Sequence, residues 1–227
     1  MDIPGEVRLT VRRPRGDVAR AYARTAVRLD QPWRSAPYCA VDLETTGLDL
    51  RRDVIISFGS VGIDGGRVIA GSSIYSLVRG PSRVSPEAVA VHSLRPADLA
   101  DAPPWEESVD LLLQALTGRV LIAHAAWIER AFLRRAFRVR QVPPPRIVVD
   151  TAALARAAGQ AAVGASAEPS LELLARDLGL PAHEPHHALG DALTTAEVFL
   201  ALATRLAAAD QQTVGSLVSA SRRFALR

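Results

Sequence analysis

The segment Val41-Asp42-Leu43-Glu44-Thr45-Thr46-Gly47 constrains this 227-residue chain more than any other. It continues Tyr38-Cys39-Ala40-Val41, a short apolar run of the kind that forms a central strand covered on both faces. Residues two apart on a strand share a face, so Asp42 and Glu44 project side by side at its end. Two carboxylates held that close on a buried strand repel and cannot both ionise cheaply. A divalent cation relieves the conflict, and hard oxygen ligands suit magnesium or manganese. Gly47 permits a sharp turn after the pair, and the backbone amides there suit a phosphate or sugar oxygen. Alone, an Asp-x-Glu pair is also ordinary charge at a core edge; its place at the end of a buried strand favours the metal.

The rest of the chain alternates strand and helix patterns. Val54–Ile63 and Arg67–Val78 are β-rich and joined by Asp64-Gly65-Gly66, a hairpin signal. Glu106–Leu116 and Ala126–Val139 read as helices, with Arg119–Ala123 a strand between them, and Val142-Pro-Pro-Pro breaks the second helix. Ile147–Val149 is a short strand, and Asp150-Thr151 caps the helix after it. Gly159–Pro169 reads as a mobile loop of small residues, Ser170 caps a helix stopped by Gly179, and His187–Ala208 is a long alanine-rich helix. A hairpin followed by alternating helices and strands predicts an α/β fold, a mixed sheet flanked by helices. Pro32, Trp33 and Pro37 set off residues 1–35 as an N-terminal extension; residues 36–208 form the main domain and 209–227 a C-terminal tail or a last helix.

A second chemical segment is His186-His187-Ala188-Leu189-Gly190-Asp191-Ala192, at the start of the long helix. It places an imidazole on the lead-in and a carboxylate on the first turns. A histidine beside a metal-bound carboxylate suits a general base. Zinc held by His183, His186 and His187 is an alternative, as is plain helix capping by Asp191. Cys39, the single cysteine, reads as inert core and rules out a disulfide framework.

Charge is a weaker guide. All 27 basic residues are arginine, which suggests a GC-rich coding sequence as readily as a nucleic-acid surface. Residues 1–35 hold eight arginines against four acids, whereas the remainder holds nineteen against twenty. Arg20, Arg24 and Arg28 share one face of a predicted helix from Asp17, a solvated face or a phosphate-binding arm. No apolar stretch is long enough to cross a bilayer and the start lacks a secretory pattern, so the expectation is a cytoplasmic protein with no membrane partner.

Taken in order, these segments resemble the DnaQ-like, DEDD-type histidine-containing 3′→5′ exonucleases, the family of the proofreading epsilon subunit of bacterial DNA polymerase III. Asp42–Gly47 matches its D-x-E-T-T-G motif, and His186–Ala192 its H-x-A-L-x-D-A motif. Between them, Val84-Ser-Pro-Glu-Ala-Val-Ala-Val-His92, Asp150-Thr151 and Ser170-Leu-Glu-Leu-Leu-Ala resemble connecting signatures. The second motif departs: where the family has H-N-A-x-F-D, this chain has His124-Ala125-Ala126-Trp127-Ile128-Glu129.

The resemblance implies a ribonuclease-H-like mixed five-stranded sheet flanked by helices and two-metal hydrolysis with two Mg2+ or Mn2+ ions. It assigns Asp42, Glu44, Glu129 and Asp191 to the metals and His186 to the general base. Thr45, Thr46, Gly47, His92 and His124 would bind substrate. The expected substrate is the 3′ end of single-stranded DNA or RNA, with DNA favoured and nucleoside monophosphates released, in DNA replication or repair. A polymerase or clamp is an expected partner, and Gln211–Leu217 faintly resembles a clamp-binding peptide. Arg130, Arg134, Arg135 and Arg138 offer a solvated helix face or a phosphate track. The altered second motif keeps open a non-catalytic module that binds a nucleic-acid end or a polymerase. No feature assigns an oligomeric state.

Overall fold

The computed structural model describes residues 13–80, 83–163, 167–209 and 212–226. Five strands form one mixed sheet: β1 (Tyr38–Thr45), β2 (Ile55–Asp64), β3 (Arg67–Leu77), β4 (Val120–Ala123) and β5 (Val148–Asp150), in the order β3-β2-β1-β4-β5. β2 runs antiparallel to both β1 and β3, while β4 runs parallel to both β1 and β5. The predicted hairpin is β2–β3. The helices are α1 (Asp17–Arg24), α2 (Pro86–His92), α3 (Trp105–Leu116), α4 (Trp127–Ala136), α5 (Thr151–Ala157), α6 (Leu171–Asp177), α7 (Ala188–Ala208) and α8 (Val214–Phe224).

Alternation along β1 sends its side chains to two cores. Tyr38 and Ala40 join Phe199, Leu202 and Leu217 under α5–α8, whereas Cys39, Val41 and Leu43 pack with Leu112, Leu133 and Phe137 under α3 and α4. Asp42 and Glu44 continue the first face beyond the point where apolar packing ends. Cys39 is buried, and burial pushes its thiol up to about 12, as suits an inert core residue.

The described parts of the expected extension and tail belong to the body. Trp33 is buried edge-on against Phe199, and its carbonyl accepts from Tyr38 Oη at 2.9 Å, so a boundary at residue 35 would cut through packed core. α8 buries Val214, Leu217 and Val218, each contributing about 1.5–3 kcal/mol. Backbone bonds Val214 N to Gln31 O (3.1 Å) and Trp33 N to Gln212 O (3.0 Å) join the two segments. Residues 1–12 of the extension lie outside the described residues, as do 164–166 of the predicted loop. So does Gln211 of the clamp-like segment, whose Leu217 is core.

Two helices are shorter than their patterns. α1 ends at Arg24 because Thr25 turns the chain extended, its hydroxyl capping Tyr22 O. Arg28 therefore lies beyond that helix, paired with Asp30 at 2.8 Å. α4 passes into a 3₁₀ turn, Phe137–Arg140, before the prolines. Among the described residues, no helix is long and apolar enough to cross a membrane.

Candidate active site

A cleft of about 480 Å³ opens where β1 ends, walled by α2, the start of α4 and the lead-in to α7. Asp42, Glu44, Thr45, Gly47, His92, His124, Glu129, His186 and Asp191 all line it. Residues spread over 150 positions of sequence thus meet in one place.

Two close approaches bring the carboxylates together. Gly59 lies opposite Asp42 in the sheet, and a β-carbon there would stand 2.2 Å from the Ala188 carbonyl oxygen. Glycine at this position lets the first turn of α7 rest directly on the sheet. A β-carbon on Gly190 would stand 2.2 Å from His183 O, so the lead-in folds tightly onto that same turn. Asp191 then faces the strand, and oxygens of Asp42, Glu44 and Asp191 lie within 4.8 Å of one another. Asp191 also accepts from the His186 amide at 2.9 Å, tying carboxylate to histidine.

Electrostatics follow from that crowding. Burial, then the charge of Asp191, pushes Asp42 up to about 8. Burial with Asp42 and Asp191 nearby takes Glu44 to about 9. Asp191 rises to about 6, burial outweighing its bond from His186. Such a nest of mutually suppressed carboxylates on a cleft is a functional-site signature and a poor stabilising device.

Glu129 faces the same cleft from α4. It is 3% exposed, and its Oε2 is buried without a hydrogen-bond partner. Burial, and next the charge of Asp42, raises it well above the ordinary range. It is therefore a buried residue of the cleft wall. It stands outside the tight three-carboxylate group, with Asp42 as its main charged neighbour.

The remaining predicted residues divide. Thr46 does not line the cleft: its amide donates to Val54 O and its hydroxyl to Asp53, so it braces the turn and leaves no group for substrate. Thr45 Oγ1 donates to Gly47 O at 2.8 Å. His92 donates from Nε2 to Thr45 O (3.2 Å) and accepts from Leu94 N at Nδ1 (3.0 Å). His124 donates from Nε2 to Pro169 O at 2.7 Å, which leaves Nδ1 to accept from Thr151 Oγ1 at 2.9 Å. Burial lowers both rings, so each is a neutral strut with both nitrogens engaged. They line the cleft by ring surface. His183, His186 and His187 are not gathered: His183 meets Glu197 (3.1 Å), His186 approaches Glu172 (3.7 Å) and His187 stacks on Tyr75. Of the α4 arginines, Arg130 and Arg134 are exposed, and Arg135 donates to Leu50 O.

Two organisers escaped the sequence reading. Asp53 accepts from Thr46 Oγ1 and Asp49 N, both at 2.7 Å, and fastens the turn after β1. Asp150 caps α5 as expected but also accepts from the amides of Ala125 (3.2 Å) and Ala126 (3.0 Å). Nothing in the local sequence around residue 150 signals that second pair of donors. Ala125 is left-handed, with φ +54.

A five-stranded mixed sheet with acidic residues at the end of its central strand and on a facing helix defines the ribonuclease-H-like class. The RNase_T exonuclease family model matches residues 39–199, and the chain belongs to that family. It is 34% identical over 198 residues to a DNA polymerase III subunit epsilon-like protein of Rhodobacter capsulatus, covering 86% of this chain and 27% of that one. It is 30% identical over 166 residues to a 3′-5′ exonuclease DinG of Staphylococcus epidermidis, covering 73% and 18%. The chain thus spans about a quarter or less of these relatives. Among solved structures, exonuclease X in complex with 5′ overhanging duplex DNA superposes with a TM-score of 0.61 at 22% identity, covering 81% of this chain and 99% of that one. E. coli exonuclease I with a dT13 oligonucleotide gives 0.65 at 16% identity, covering 78% and 43%. At those identities the likeness is one of fold.

Proposed function

We propose that this protein is a metal-dependent 3′→5′ exonuclease. It would hydrolyse phosphodiester bonds at the 3′ end of a single strand, DNA favoured, and release nucleoside monophosphates. The observation that carries the reading is the meeting of Asp42, Glu44 and Asp191 with Glu129 in one cleft beside His186. The residues fit divalent cations: three carboxylates within 4.8 Å, and a fourth with a buried oxygen that no protein group satisfies. Asp42, Glu44 and Asp191 would hold one ion, Asp42 and Glu129 the other, with Mg2+ or Mn2+ favoured by the all-oxygen set. When bound, the ions supply Lewis-acid activation of water and of the scissile phosphate.

The chain's own residues do the rest. His186, half-exposed at the cleft mouth, accepts the proton of the attacking water. Asp191 holds the histidine's backbone. Exposed Leu48 and Val91 offer apolar walls for the terminal nucleotide, while His92 and His124 keep Thr45 and the Pro169 loop in place. The relatives named for polymerase III support a role in replication or repair beside a polymerase.

A 3′-shortening assay on a labelled single strand, with and without magnesium, tests the reading. Asp42→Ala should lose about 4 kcal/mol of transition-state stabilisation, a thousandfold in rate. Equal activity in that variant, or shortening that ignores metal, defeats it. The binding-module alternative draws on Glu129 standing where the family has Asp; it predicts retention of 3′-ended strands without turnover.

A further inference from the structure

The first turn of α7 rests on the sheet between two side chains, of which the catalytic reading uses one. Across the sheet Asp42 pairs with Gly59, and Gly59 pairs with Tyr75. Laterally paired residues share a face, so Asp42 and Tyr75 flank the slot that Gly59 leaves for Ala188 and Leu189. Tyr75 lies on the edge strand and is 37% exposed. Its ring stacks on His187, with centroids 4.4 Å apart and planes 30° from parallel.

His187 is the N-cap residue of α7. Its carbonyl accepts from Asp191 N at 2.9 Å, and its own amide donates to Glu184 O at 3.0 Å. The ring's Nδ1 is buried without a hydrogen-bond partner, 3.7 Å from the Glu184 carboxylate. Stacking, rather than a polar bond, fixes this ring. On either side of Pro185, Glu184 and His186 are left-handed, at φ +36 and +62. A β-carbon disfavours that conformation, so surrounding packing must hold it. The His186 side chain is 53% exposed and approaches Glu172 no closer than 3.7 Å. Little touches it directly; its neighbour is what is clamped.

We propose that Tyr75 is a positioning residue for His186, acting through its stack on His187. It holds the strained lead-in against the sheet and so aims the imidazole into the cleft. This rests on the reading of His186 as proton acceptor. An offset aromatic contact of this kind is directional, and displacing a reacting group by about 1 Å can lower a rate a hundredfold.

The test measures kcat and KM of the full chain on a 3′-labelled single strand with magnesium. Beside it, the histidine Cε1–H NMR resonances are recorded without metal. Tyr75→Leu should lower kcat by about 10–100-fold while KM moves less than about threefold. Tyr75→Phe, which keeps the ring, should stay within about threefold of wild type for kcat. His187→Leu should match Tyr75→Leu, and the double variant should be no worse than either single one. The His186 resonance should move in Tyr75→Leu and stay in Tyr75→Phe. A Phe variant as impaired as Leu assigns the effect to the hydroxyl and overturns the proposal. So does a change in KM alone, an additive double variant, or an unmoved His186 resonance. Should Tyr75→Leu fail to melt cooperatively, His187→Leu against His187→Phe reads the same contact, and equal loss in both overturns it. A wild-type chain that shortens no strand defeats the exonuclease reading, and the NMR comparison then decides the role of Tyr75 by itself.

Discussion

The two walls of the cleft are built differently. On one, α7 rests on β2 at Gly59 and on its own lead-in at Gly190, and Asp191 is bonded to the His186 amide before any cation arrives. On the other, α4 offers Glu129 with a bare buried oxygen, and Ala125 beside it sits left-handed, held by Asp150. The first wall is pre-organised by packing. Left-handed residues occur on both walls, Glu184 and His186 on the first and Ala125 on the second; what sets the second apart is a buried carboxylate oxygen without a partner, an arrangement that persists where function needs it. Asparagine tolerates the left-handed conformation; alanine, which occupies position 125 here, lacks that tolerance.

The largest effect that sharpens the contrast is at the organised wall. His186→Ala should lower kcat about a hundredfold with the fold intact, as loss of a general base does; an unchanged rate by quenched-flow or gel assay removes the histidine from the chemistry. Glu129→Asp comes next. Shortening the side chain withdraws the carboxylate from Asp42, and the rate should fall about tenfold. A gain would show that the natural chain is impaired at this wall and would favour the binding-module reading.

Proton linkage tests the three-carboxylate cluster without an activity assay. Asp42, Glu44 and Asp191 are raised to about 8, 9 and 6, so the folded chain binds more protons than the unfolded one. Their contribution is fully present below the unfolded carboxylate range near pH 4 and is lost as pH rises through 6 to 9. In EDTA, the melting temperature should fall by at least about 5 °C between pH 5.5 and 9, and magnesium should restore most of it. Asp42→Asn should flatten that fall; a profile as steep as wild type locates the linkage elsewhere. The smallest effect belongs to Ala125→Gly, which relieves the left-handed strain and should stabilise the chain by up to about 1 kcal/mol in urea melts, with little change in rate.

Much of the cleft was legible because chemistry and periodicity coincide there. A strand's two-residue repeat puts Asp42 and Glu44 on one face, and a helix start places Asp191 in its first turns. Thr46 was misread because its motif position is shared with Thr45, yet its amide and hydroxyl face Val54 and Asp53, partners no local pattern discloses. The extension and tail were misread because neither segment alone shows that Trp33 and Leu217 bury in the same core.

By itself the sequence determined the order of the strands and of the helices other than α2, the family, and the acids and histidine of the cleft, since these depend on residue type and on spacing along one element. The tertiary structure decided which side chains are free to act. Only packing between distant segments shows that His92 and His124 have both nitrogens engaged, that Glu129 is buried and unpaired, and that Tyr75 grips the lead-in to α7. Burial and hydrogen-bond saturation are properties of neighbours, and Tyr75 and His187, for one, lie 112 residues apart in the chain.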